Sequence, residues 1–391
     1  MDLVNCKILL FLDYPDIINA CKGVPDFFRV CNKPYFWALK AECDFGIPSS
    51  ELLLIPGSNN KKRYEFIYDI NKSRLCLIEV AKLGVLSLVK YFFNQGNQEE
   101  ALSCAAMKGH LQVVRYLIDQ GADFHTLTEL PLKLAANNGH LDVVKYLVEK
   151  GADFRILNEV ALRLAAESGH LNVVKYLVEQ RDTVSSANEE ALILAARNGH
   201  LDIVKYLVEQ GADLHSEDEE ALRQAARNGH LDVVRYLVEH RANVHVYIEF
   251  PLLRPSNNGH FGVVKYLVEQ GADLHARDEL VLLWSAYNGN LDIVKYLVEQ
   301  GANLHAGDED ALMSAANNGH LDVVKYLVEH GADLHARDEL ALRWSANNGH
   351  LDVVKYLVEQ GANFHVRDEG ALRCAASNDH LDVVKYLTDI S

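Results

Sequence analysis

From Gly109 to the end of the chain one phrase returns every 30 residues, close to "GHLDVVKYLVEQGAD". It begins at Gly109, Gly139, Gly169, Gly199, Gly229, Gly259, Gly289, Gly319 and Gly349, and a last copy puts Asp379 in place of the glycine. A period of that length means a stack of like supersecondary units, because one unit is too small to bury its own apolar face and must lend it to a neighbour. Such an array is a single quasi-linear body, so 391 residues do not here imply two or three ordinary globular domains.

Within one copy, residues 341–370 read "ALRWSANNGHLDVVKYLVEQGANFHVRDEG". Ala341 to Asn347 predict a short inner helix with Leu342 and Ala346 on a narrow seam. Asn348-Gly349 then break it, glycine reaching left-handed angles without strain. An outer helix follows from Leu351, with Leu351, Val354, Leu357 and Val358 on one face. Asp352 suits its first turn and Gly361 its end. In the remaining polar stretch, Asp368-Glu369 are expected to cap the next inner helix.

The 49% apolar content and only eight prolines argue for an ordered, helix-rich chain. The net charge of -17 is uneven: residues 1–74 carry ten Lys/Arg against nine Asp/Glu, and the rest 28 against 46. The acid thus belongs to the repeats, which predicts a long acidic groove and disfavours nucleic acid as its partner. Apolar stretches such as "KILLFLDY" fall short of the roughly 20 residues a membrane-spanning helix needs. Met1-Asp2 opens no export signal. A soluble, monomeric cytoplasmic protein is expected. Seven cysteines without a C-x-x-C pair read as reduced, buried small hydrophobes.

The pattern A-A-x-x-G-H-L-x-V-V-K-Y-L-x-x-x-G-A-D resembles the second half of the ankyrin repeat, and Pro131-Leu132 and Pro251-Leu252 resemble the start of that family's inner helix. The resemblance runs from about Leu75 to Ser391. It implies an all-α-dominated solenoid, an ankyrin-type stack of helix-turn-helix repeats, preceded by a small helical domain. Ankyrin repeats typically have about 33 residues, and the shortfall in these 30-residue copies lies in the finger between "GADLHARDE" and the next "ALR". Short fingers shift the expected contact surface to the inner-helix groove. Repeat length and wording resemble the ankyrin families of giant amoebal viruses of the mimivirus type, which for a viral chain would mean the host cell cytoplasm.

About eleven copies are expected over 75–391, the last truncated. The first is divergent: in "EVAKLGVLSLVKYFFNQG", Gly84 and Gly96 take the glycine positions and Phe92-Phe93 replace Leu-Val, which predicts packing against something upstream. Arg181 and Arg241 replace the capping glycine, at up to about 1 kcal/mol if the left-handed angle is kept. Pro255 falls mid-helix, where it removes a hydrogen bond and clashes for roughly 3 kcal/mol. That makes residues 251–280 the expected bend or weak point.

Positions that differ between copies mark outward-facing side chains. One such column is Met107, Asn137, Glu167, Arg197, Arg227, Asn257, Tyr287, Asn317, Asn347, Ser377; another, just before each inner helix, includes Glu190, Glu220, Phe250, Leu280, Asp310 and Leu340. In ankyrin proteins the corresponding places often meet the partner. Arg197, Arg227, Phe250, Leu280, Trp284, Tyr287, Leu340 and Trp344 are therefore the candidate partner-binding residues, with the aromatics as anchors. The alternative is that Trp284 and Trp344 fill a half-buried slot held elsewhere by Leu134 and Leu164. Of the eighteen histidines, nine follow the inter-helix turn and seven lie in the finger, in columns one repeat apart, about 8–10 Å, too far for a zinc ion with ligands near 2 Å. Turn-stabilising hydrogen bonds are the expected role. No phosphate loop or nucleophile elbow stands out, so neither cofactor, metal nor enzyme is expected.

The start, "CKILLFLDYPDIINACKGVPDFFRVCNKPYFWALKAE", resembles an F-box in the order of its features. That resemblance makes residues 1–46 an F-box-like segment, implies an SKP-type adaptor of a cullin-RING ubiquitin ligase as partner, and assigns Leu9, Leu10, Leu12, Pro15, Ile17, Ile18 and Trp37 to the adaptor surface or its supporting core. Residues 47–74 are expected to be a linker and divergent cap. Two readings follow: a non-enzymatic substrate adaptor, or a scaffold or sequestering protein whose front is a structural cap.

Overall fold

The inner helix Ala306–Asn317 and outer helix Leu321–Glu329 exemplify how the repeats fold. Ala311, Leu312, Ala315 and Ala316 are buried on the first, and Val323, Val324 and Leu327 on the second. Small alanines let successive inner helices approach closely, while the larger Val and Leu fill the space between layers. At the turn, Gly319 adopts φ 73°. The His320 amide donates to Ala315 (3.0 Å) and the Gly319 amide to Ala316 (3.3 Å), the paired bonds that close a helix end through a left-handed residue.

The computed structural model describes residues 12–23, 30–71, 76–152, 154–180, 186–245 and 250–391. Among these are 26 α-helices, one 3-10 turn and no strand. The chain divides into two compact units, Met1–Thr183 and Val184–Ser391. The second holds seven helix pairs, from Ser186–Arg197 and Leu201–Glu209 to Val366–Ser377 and Leu381–Asp389. Arg181 lies outside the described residues.

Most of the repeated polar letters join one copy to the next. His350 Nε2 bonds the Asn317 carbonyl 33 residues back at 3.0 Å, and His140, His230 and His320 do the same to Met107, Arg197 and Tyr287. These histidines therefore staple adjacent repeats, beyond the turn-stabilising role expected of them. Each ring also lies flat on the preceding turn: a Cβ on Gly319 would sit 2.5 Å from His350 Nδ1. Lys205, Lys295, Lys325 and Lys355 extend over Tyr236, Tyr326, Tyr356 and Tyr386 of the following copy, at 5.5–5.8 Å.

The shortened fingers contain no strand. Instead the chain reverses through left-handed residues, as at Arg277, Asp278 and Glu279 (φ 50°, 58° and 61°) and again at Glu217–Glu219 and Arg337–Glu339. Here the acidic pair does not cap the helix as expected. Glu279 is turned inward and buried, its Oε1 accepting from the Asn303 amide of the next copy (3.0 Å) and bonding His275 Nδ1 (2.6 Å). Its Oε2 is buried without a hydrogen-bond partner. Asn303 Oδ1 in turn accepts from the His305 amide and His305 Nδ1 meets Glu309, so the motif propagates from finger to finger.

Of two faults in the array, only the second departs from expectation. Arg241 keeps the left-handed angle, φ 75°, at the cost anticipated for a side chain there. Pro255 does not break its helix, which runs from Phe250 to Asn257. The proline sits in a buried slot that other copies give to Ala225, Ser285 or Ala315.

In the first unit an aromatic cluster knits the front together. Tyr14, Trp37, Tyr64 and Tyr68 meet with ring centroids 5.0–5.9 Å apart. Trp37 Nε1 donates to the Cys31 carbonyl (2.6 Å), and the Tyr14 hydroxyl to Glu65 (2.6 Å). Burial first, then Glu65, pushes the Tyr14 hydroxyl well above the usual phenol range. Residues 47–74, expected as linker and cap, include the helices Ser49–Leu52 and Asn60–Ile70. Asn59 caps the latter through the Lys62 amide, and Tyr64 and Ile67 bury its inner face. Only its exposed basic start reads as a linker in sequence. The divergent first copy packs upstream as expected: Phe92 is buried, and Phe45 of helix Pro34–Phe45 meets Tyr91 at 5.5 Å. Cys31 is disulfide-bonded, so reduced thiols do not hold there; Cys43, Cys104 and Cys374 are free. No helix among the described residues is long and apolar enough to cross a membrane.

Candidate functional site

The second unit carries every candidate partner-binding residue, all on or at the start of its inner helices. Trp284 and Tyr287 lie on Ala276–Tyr287, one turn apart, with ring centroids 5.2 Å apart and planes at 66°. They are 37% and 43% exposed, and Trp344, two copies on in the Trp284 column, is 39% exposed. That slot is only half-buried where Leu164 or Leu194 holds it, so an indole outgrows the slot and leaves part of its face in solvent. Between the two tryptophans the same column has the short Ser314. Leu280 and Leu340 are half-buried beside them. The side chain of Phe250 lies outside the described residues.

A ladder separates structural from free positions in the variable column. Asn257 Oδ1 accepts from Asn288 Nδ2 (2.6 Å), Asn317 from Asn348 (2.9 Å) and Asn347 from Asn378 (2.9 Å). These asparagines are thus used up in joining copies. Where the column holds Arg197, Arg227 or Tyr287, the asparagine of the next copy turns to a backbone carbonyl, of Gln224, Arg227 or Ser314. The three larger side chains are left exposed. Among the described residues no carboxylate pairs with Arg197 or Arg227.

The expected acidic groove is not what the inner helices present. Their bodies in this unit, residues 191–197, 221–227, 251–257, 281–287, 311–317, 341–347 and 371–377, contain six arginines and no Asp, Glu or Lys. The acid lies on outer helices, as at Asp202, Glu209, Asp232 and Glu239, in the fingers, and at the starts of the inner helices, as at Glu190, Glu220 and Asp310. Summed over the repeat the charge is negative; resolved by face it is not. Arg223, Arg343 and Arg373 were missed because the whole-chain charge hid them, though tallying charge by column of the repeat would have found them.

At the front, the structure buries Ile17 and Trp37 completely (0% and 1% exposed), which fits a supporting core and removes them from any contact surface. Leu12 and Ile18 are half-buried and Pro15 is exposed. Leu9 and Leu10 lie outside the described residues. No group of three or more His, Cys, Asp or Glu side chains among the described residues is placed to hold a metal ion.

The family model described as ankyrin repeats (three copies) matches residues 77–158, 156–218, 215–278, 252–338 and 337–391, without a gap from 77 onwards. Among solved structures, the human ASB11 ankyrin repeat domain is 25% identical over 49% of this chain and 95% of its own length, with a TM-score of 0.45. No curated protein matches the sequence.

Proposed function

The chain belongs to the ankyrin-repeat family of protein-interaction modules, and from that premise we propose that the inner-helix face of residues 184–391 binds a segment of another protein, with Trp284, Tyr287 and Trp344 as anchors. The observation that carries this reading is the exposed Trp284–Tyr287 pair, at ring contact with each other and uncovered by the chain. Exposed aromatics on a rigid scaffold supply large contact area at little entropic cost, which is why such residues dominate hot spots. The protein acts without catalysis. The test is retention of proteins from cell extract on the immobilised full chain and on its Trp284→Ala and Tyr287→Ala variants. Partners should be lost from the variants while helical content by circular dichroism is unchanged. Unfolding of the variants would place the rings in the core instead.

The finer reading, a substrate adaptor for a cullin-RING ubiquitin ligase, rests on the F-box resemblance of residues 1–46 and on the exposure of Pro15 beside Leu12 and Ile18. It requires purified SKP-type adaptor to bind the full chain but not residues 75–391, and binding to fall in Leu12→Asp or Pro15→Ala. Adaptor binding to neither bait leaves a scaffold with a structural cap.

A further inference from the structure

We infer that the segment bound by the inner face is acidic, with aromatic or aliphatic residues among its carboxylates; this rests on the binding-face reading above. A chain of net charge -17 places six arginines, and no other charged residue, on seven inner-helix bodies. Two carboxylates at the helix starts are already committed, Glu220 to Arg223, which removes that arginine from the count, and Asp310 to Arg337 at 3.1 Å. Among the described residues Arg197 and Arg227 have no such partner, and they occupy two of the three ladder positions where asparagine would otherwise have tied the side chain to the next copy. Among the described residues Arg343 and Arg373 reach backbone carbonyls, of Asp338 (3.5 Å) and Arg367 (3.0 Å), and no carboxylate. The face therefore runs from guanidinium groups at Arg197 and Arg227 to the rings of Trp284, Tyr287 and Trp344, and back to guanidinium at Arg343 and Arg373.

Geometry gives the occupant a rhythm. Neighbouring inner helices lie about 8–10 Å apart, and an extended chain advances about 3.3 Å per residue. A carboxylate at every third position of an extended segment can therefore meet one arginine per copy, bidentate in the favourable case. Apolar side chains about six to nine residues further along would reach the aromatic pair. The acidic outer helices repel the same segment elsewhere, so the sign contrast sets which face it binds. A nucleic acid strand shares the negative charge but carries one at every nucleotide, which a chain of net charge -17 repels more strongly than a peptide charged at every third residue.

The test uses the full chain and fluorescein-labelled peptide pools of about 16 residues, all rich in Leu, Phe and Tyr. One pool has Asp or Glu at every third position, one Asn or Gln, one Lys or Arg, and a single-stranded oligonucleotide serves as competitor. Fluorescence anisotropy should give the acidic pool an affinity about tenfold above the neutral one, shrinking at high salt. In Arg197→Glu/Arg227→Glu that preference should vanish and the basic pool should gain. Trp284→Ala should weaken acidic and neutral pools alike. Equal binding of acidic and neutral pools, unaffected by charge reversal yet weakened by Trp284→Ala, overturns the acidic partner and leaves the binding face standing. Binding by no pool overturns both, and displacement of the acidic pool by the oligonucleotide at lower concentration than by unlabelled peptide overturns the assignment to protein.

Discussion

A glycine in this array can be required for two reasons, and the structure tells them apart. Gly331 and Gly319 both have positive φ, 99° and 73°. A Cβ on Gly331 would meet nothing within 4 Å, whereas on Gly319 it would strike the His350 ring at 2.5 Å. Gly331→Ala should therefore cost about 1 kcal/mol, from backbone strain alone. Gly319→Ala should cost about 3 kcal/mol or more, since ring and backbone must both shift. Urea unfolding of the two single variants, His350→Ala and the Gly319→Ala/His350→Ala double variant gives the coupling. A coupling near zero would mean that the ring moves aside freely. Arg241 illustrates the first reason alone, since a side chain survives there at φ 75°.

At the scale of the element, the finger couples a buried carboxylate to an exposed imidazole. The hydrogen bond to Glu279 chiefly, with Asp273 adding, raises the His275 pKa above 6.5, and Glu339 with Asp333 does the same for His335. A raised folded-state value means that the stabilising contribution is fully present below the unfolded pKa of about 6.5 and is lost as pH rises through the higher folded value. Melting temperature should thus decline between mildly acidic and mildly alkaline buffer, and Glu279→Gln/Glu339→Gln should flatten that part of the profile. A variant profile as steep as the parent's would assign the slope to other groups. A second element-scale prediction concerns helix Phe250–Asn257, where Pro255 leaves the Pro251 carbonyl without its helical donor. Pro255→Ala should stabilise the chain by up to about 3 kcal/mol; a loss of stability would mean that filling the slot with the ring outweighs the missing bond.

Within each unit a repeat packs on its neighbours, so cooperativity is local and need not span the two compact units. Tryptophan reports on each separately, Trp37 buried in the first and Trp284 and Trp344 half-exposed in the second. Leu312→Ala removes a fully packed side chain from the second unit and should cost about 2–5 kcal/mol. It should shift the denaturation transition of Trp284 and Trp344, followed in Trp37→Phe, and leave that of Trp37, followed in Trp284→Phe/Trp344→Phe, in place. Equal shifts in both reporters would make the chain a single cooperative body. Charge shows the same need to resolve the molecule into parts, because a strongly negative total conceals inner-helix bodies whose charged side chains are all arginine.

Much was legible from the letters because repetition is itself a structural statement. The period, the paired helices, the Leu and Ala seam of the inner helix, Val354 and Leu357 of the outer one and the left-handed turns follow from local propensity and from comparing copies, whereas Val353 is buried in place of the expected Leu351 and Val358. What only the tertiary structure decided are the partners of the repeated polar residues. His350 reaches back 33 residues and Asn348 reaches back 31, while Glu279 accepts from an amide 24 residues ahead. A periodic sequence cannot distinguish a bond within a copy from the same bond made to the next one, since both recur with the same spacing. That distinction separates the asparagines spent on the ladder from the arginines left facing outward, and so the chemistry of the proposed binding face is complete only when the copies are stacked.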